Sequence, residues 1–145
     1  MPKRKSLERG YVYQNLAEKN FLPLINLLYR KTACDDVGGF GRLPFSADYD
    51  LNLKIARKWQ VLAVDEVTAV YRLHGRNSSI KHWEAMINER EELIESLPQS
   101  LQNRAKSCFF SDQLLGKYLD KKTLFGYLSD VSLRLVCVNL LQPGE

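Results

Sequence analysis

The stretch VGGFGRLPFSADYDLNLKIARKW, Val37 to Trp59, constrains this chain more than any other. Two adjacent glycines stop the helix before them, because glycine enters the left-handed conformation of a helix end without a steric penalty. Pro44-Phe45-Ser46 then reads as a loop, with Ser46 as the N-cap of a helix running to about Trp59. At about 100° per residue, Leu51, Ile55 and Trp59 form one apolar stripe. Asp48 falls on that stripe. Asp50 falls on the opposite side, near Lys54 and Arg57, and stands four residues before Lys54 in the favourable acid-first order, worth roughly 0.2–0.5 kcal/mol. The two acids diverge by about 160° around the helix, so their D-x-D spelling does not make a paired metal grip. Asp50 reads as a solvated first-turn acid helped by the helix dipole. Asp48 faces the protein and needs a partner. Two roles fit it: capping of first-turn amides, or a general base at the mouth of a pocket.

The remaining composition narrows the class. The chain has 145 residues, 45% of them apolar and 26% charged, which suits one folded domain with a sizeable core. A net charge of +4 is compatible with phosphate-bearing partners without demanding them. Cys34, Cys108 and Cys137 are odd in number and far apart, against a disulfide framework or a zinc site. Pro2-Lys3-Arg4-Lys5 is basic, but no apolar region follows it as in a signal peptide. The most apolar tail, LFGYLSDVSLRLVCVNLL, is interrupted by Ser129, Asp130, Ser132, Arg134 and Asn139, against a membrane span.

Around the central stretch, residues 7–18 predict a helix and INLLYRK a strand. Thr32 is expected to cap a short helix, with Asp35 in the capping-box position. After Trp59, VLAV and VTAVYRLH predict two strands. Alternation places Thr68, Val70, Arg72 and His74 on one face. Arg72 and His74 thus project together before a polar loop carrying Arg76, Asn77 and Ser78. They read either as an ordinary exposed face or as a phosphate-contacting pair in which His74 can also ligate a metal. His82 reads as surface and Trp83 as core or interface. From Lys81 onward the pattern turns helical: HWEAMINEREELIESL up to Pro98, then QSLQNRAKSCFFSDQLLGKYL and TLFGYLSDVSLRLVCVNLL. No Walker loop, G-x-G-x-x-G or Ser-His-Asp set is present.

Taken in order, NFLPLINLLYRK, DVGGFGRLPFSADYDLNLKIARKW and VLAVDEVTAVYRLHGRNSS resemble the acceptor-side, C-terminal half of the catalytic domain of family 2 glycosyltransferases, which has the GT-A fold. The resemblance covers roughly Gly10 to Ser79. It implies an α/β (as truncated, α+β) fold, with a partial GT-A-like sheet over residues 1–80 and a C-terminal helical extension over 81–145. It makes Asp48 the acid that deprotonates the acceptor hydroxyl. Arg72 and His74 fall near the donor diphosphate and metal, with His74 the candidate metal ligand. Gly38, Gly39 and Phe40 fall on the acceptor-side turn. Ala47 stands where the family usually has Glu, Gly41 where Asp is common, and Lys54 where Arg is usual. The family's nucleotide-binding half has no counterpart before Asn20, so a truncated or split form with little activity alone is expected.

The complete enzyme is expected to use a nucleotide sugar, a sugar or lipid-linked acceptor, and Mn²⁺ or Mg²⁺, with no metal bound by this chain alone. Other expected partners are the missing N-terminal half, a second copy, or the membrane surface. The expected place is the cytoplasm, up to the inner face of the membrane. A non-enzymatic interaction or membrane-surface module is the alternative. A small basic nucleic-acid-binding protein is a further one, although no recognition motif supports it and no nucleic acid is expected.

Overall fold

The computed structural model describes residues 10–64, 68–70, 76–118 and 136–138. In chain order these hold α1 (Tyr13–Glu18), a 3₁₀ turn (Leu24–Asn26), β1 (Leu27–Tyr29), α2 (Lys31–Asp36), α3 (Ala47–Ala56), α4 (Ser78–Lys81), α5 (Trp83–Ser96), α6 (Gln99–Tyr118) and β2 (Val136–Val138). The described chain is thus a small, mainly helical mixed domain.

Helix α3 is its centre. Tyr49, Leu51, Asn52, Leu53, Ile55 and Ala56 are all buried, so the apolar arc is wider than one stripe and Asp50, Lys54, Arg57 and Lys58 keep the solvent side. Leu16 and Ala17 of α1, Leu22, and Leu93 and Ile94 of α5 belong to the same buried cluster, with Leu97, and Leu101 and Ala105 of α6. The change in character near residue 80 is therefore a change of composition across which one core is continuous.

Polar contacts fix how these helices meet. The Tyr49 hydroxyl donates to the carbonyl of Leu16 at 2.6 Å, satisfying an acceptor in the last turn of α1. Arg90 of α5 lies over the Tyr49 ring, 4.2 Å from its centroid, and donates to the carbonyl of Glu18 at 3.1 Å. Arg104 of α6 pairs with the Glu18 carboxylate at 2.7 Å. Three helices thus converge on one helix end. The α5–α6 link is closed by Gln102, whose amide donates to the carbonyls of Leu97 and Glu95 at 2.9 and 3.1 Å.

Several expectations change. Thr32 is not the cap of α2. Arg30 takes the N-cap position in extended conformation and makes no side-chain cap bond, because β1 runs straight into the helix. Asp35 instead pairs with Lys31 at 2.6 Å. The helix expected over residues 7–18 starts at Tyr13, since Gly10 is held in an antiparallel bridge to Val61. That bridge is the regular structure present in VLAV; of the strand expected over VTAVYRLH, Thr68–Val70 carries no regular structure and the other residues lie outside the described ones. The tail expected to be helical contributes β2, parallel to β1 with Leu27 opposite Val136 and Tyr29 opposite Val138. The β-branched, apolar spelling VCV favours that edge pairing. Trp83, expected in the core or at an interface, is 44% exposed at the start of α5, which leaves the interface alternative. Among the described residues, no helix is long and apolar enough to cross a membrane.

Candidate functional site

The glycine pair does what its sequence predicts. Gly38 and Gly39 have φ of +79° and +70°. The Gly39 amide donates to the carbonyl of Cys34 at 2.8 Å and the Gly38 amide to that of Asp35 at 3.2 Å, the paired bonds of a Schellman stop. Phe40 follows, 58% exposed. The chain then passes along the outer side of α3: a Cβ built on Gly41 collides with Asp50 Oδ2 and comes within 3.2 Å of Lys54 Nζ. Glycine at this position leaves room for the Asp50–Lys54 ion pair, which closes at 2.6 Å as the i,i+4 spacing predicts. The turn over residues 38–41 thus reaches α3 on the face of Asp50, away from Asp48.

Helix α5 pins the loop between the turn and α3. The carboxylate of Glu89, buried, accepts the Phe45 amide at 3.1 and 3.2 Å. Arg42 pairs with Glu92 at 2.8 Å, and the Phe45 ring stacks on His82 with centroids 4.4 Å apart. His82 is exposed, as expected, yet serves this loop. At the other end, the Trp59 indole donates to Asp36 Oδ2 at 3.1 Å, with Lys58 3.2 Å from the same oxygen, tying α3 to the end of α2. The indole bond, then Lys58, holds the Asp36 carboxyl below its ordinary range.

Between these two anchors stands Asp48, in the first turn of α3 and on its inward arc. Ser46 is the N-cap by position, and its carbonyl accepts the Asp50 amide at 2.9 Å, but its side chain makes no cap bond. The first-turn amides are thereby left to Asp48. Burial pushes the Asp48 carboxyl above its ordinary pKa, opposed by the backbone N–H groups of Tyr49 and of Asp48 itself. Asp48 thus meets first-turn amides and sits where burial disfavours its ionisation.

Its surroundings are polar within an apolar shell. Tyr29 of β1 is partly buried, and its hydroxyl donates to Asn52 Oδ1 at 2.7 Å. Asn52, one turn after Asp48 on the same arc, is 2% exposed and donates from Nδ2 to the carbonyl of Leu22 at 3.3 Å. Burial first, then the charge of Asp48, push the Tyr29 pKa far up, so it stays a protonated donor. Burial also raises the Cys34 thiol of α2. Tyr29, Asn52 and Glu89 were not singled out from sequence. The signal for Asn52 was available: the same rotation that turns Asp48 inward also turns residue 52 inward.

Arg72 and His74 lie outside the described residues. Among the described residues, no three His, Cys, Asp or Glu side chains gather as a metal site. A separate groove of about 490 Å³ lies between α5 and α6, lined by residues such as Glu91, Ile94, Lys106 and Phe110. It has no member of the Asp48 cluster on its wall. No family model, curated protein or solved structure matches this chain.

Proposed function

We propose that this chain is the acceptor side of an inverting, nucleotide-sugar-dependent glycosyltransferase of the family 2, GT-A type. The observation that carries this reading is Asp48: a carboxylate on the inward arc of α3, its proton affinity raised by burial, within the ordered motifs that resemble that family. A base of raised proton affinity suits removal of a hydroxyl proton. Asp48 takes the proton of the acceptor hydroxyl. The acceptor oxygen forms its bond to the anomeric carbon as the bond to the nucleoside diphosphate breaks, and the configuration inverts. Arg72 and His74 are assigned to the donor diphosphate by resemblance alone. Mn²⁺ or Mg²⁺ is the ion the resemblance implies. The described residues offer no ligand set for it.

The test is a titration of the full chain with nucleotide sugars and Mn²⁺, with and without saccharide acceptors. Amide shifts and released nucleoside diphosphate are followed together. Acceptor-dependent shifts should centre on residues 46–52, and any transfer should fall about 10²–10⁴-fold in Asp48→Asn. Transfer that survives Asp48→Asn, or saccharide shifts that avoid α3, would overturn the reading.

One observation favours the interaction-module alternative: Leu24, Ile25 and Leu28 are all exposed around the start of β1. Sedimentation across a concentration series reads it directly. A monomer at all concentrations removes self-association from this alternative.

A further inference from the structure

We propose that Asn52 is a positioning residue for Asp48: it holds the Tyr29 hydroxyl proton and so keeps that donor off the Asp48 carboxylate. The inference rests on the reading of Asp48 as the base. The geometry fixes the direction of each hydrogen bond. Asn52 is 2% exposed, so both ends of its amide need partners. The carbonyl of Leu22 can only accept, so Nδ2 must face it, as the 3.3 Å contact shows. Oδ1 then faces Tyr29, and because Oδ1 can only accept, the phenol must donate, at 2.7 Å. A phenol has one hydrogen, and this one is committed.

The consequence falls on Asp48, which stands one helical turn before Asn52 on the same side of α3, beside the side chain that the Tyr29 hydroxyl meets, and whose charge is felt at Tyr29. An ionised carboxylate is a stronger acceptor than an amide oxygen. With Asn52 removed, the Tyr29 hydroxyl has reason to turn to Asp48, and a bond to the ionised form would weaken it as a base. The other ionisable groups are placed so as not to compete. Cys34 of α2 acts electrostatically on Tyr29, and burial raises its thiol above the ordinary range. Asp50 and Lys54 of α3 pair with each other on the outer face. Glu89 of α5 is engaged with the Phe45 amide.

The experiment is a carboxyl-carbon NMR titration of Asp48 in the full chain, with Asn52→Leu, Tyr29→Phe and the double variant beside the parent. Asn52→Leu should lower the Asp48 pKa by about one unit. Tyr29→Phe should leave it at the parent value, and the double variant should return it there. An Asp48 pKa in Asn52→Leu equal to that of the parent overturns the inference. So does a rise in Tyr29→Phe, which would mean that the phenol already donates to Asp48. If Asn52→Leu does not fold, Tyr29→Phe decides alone. The titration needs no turnover, so its failure is separable from that of the glycosyltransferase reading. If the coupling is found but saccharides never perturb α3, the enzyme reading fails and the hydrogen-bond assignment stands.

Discussion

At the scale of single residues, Asp48 is held at a cost. Its folded-state pKa is raised above the ordinary value of 3.8 by burial. The folded chain therefore binds this proton more tightly than the unfolded chain does. The resulting stabilisation is complete below the unfolded pKa and is lost as pH rises through the folded one. Above the folded-state pKa the ionised carboxylate thus opposes folding. Asp48→Asn, which keeps an oxygen for the first-turn amides, should show a urea midpoint at pH 7 no lower than the parent, with the gain vanishing in acid below the ordinary carboxylate range. A lower midpoint at pH 7 would mean that the amide contacts outweigh burial. Tyr49 offers a control of the opposite sign. Its hydroxyl closes the end of α1, and burial pushes its pKa up to about 12, so Tyr49→Phe removes a satisfied buried bond. A loss of about 1 kcal/mol by denaturant titration is expected.

At the scale of elements, three glycines of one loop act for two physical reasons. Gly38 has φ of +79° with no atom crowding a built Cβ, so its requirement is conformational. Gly38→Ala should cost about 1 kcal/mol, and Gly38→Asn less, because asparagine tolerates the left-handed region. Gly39 shares that requirement as the second residue of the stop. Gly41 has no such backbone demand, but its Cβ would strike the Asp50 carboxylate. Gly41→Ala should therefore cost roughly the ion pair it displaces, about 0.5 kcal/mol or less. In a double-mutant cycle with Lys54→Ala the two losses should fail to add. Additive losses would show that Gly41 acts through something other than the Asp50–Lys54 pair.

At the scale of the molecule, the buried cluster joins α1 and α3 to α5 and α6. Leu93→Ala on α5 should thus cost about 2–5 kcal/mol. In a Trp83→Phe background, the Trp59 fluorescence transition should move with the far-UV circular dichroism transition, as one cooperative unit requires. A Trp59 transition indifferent to Leu93→Ala would separate the helical half from the rest. The same packing explains how the site is built. The loop entering α3 is held by Glu89, 44 residues further along, and the end of α1 is held by Arg90, 72 residues beyond Glu18.

The sequence by itself determined the features that a few neighbouring residues decide. The stop at Gly38-Gly39, Ser46 at the N-cap, the opposite facing of Asp48 and Asp50, and the Asp50–Lys54 pair all follow from helix rotation and backbone sterics, which act locally. Local pattern misplaced the cap of α2, because β1 runs without a break into that helix. It also read the tail as helical, where pairing with β1 more than a hundred residues away draws Val136–Val138 into a strand. The commitment of the Tyr29 proton to Asn52, and the burial that raises the proton affinity of Asp48, were settled by the tertiary structure alone. A buried polar group takes the state its neighbours impose, and here the neighbours come from β1, α2 and the chain before them.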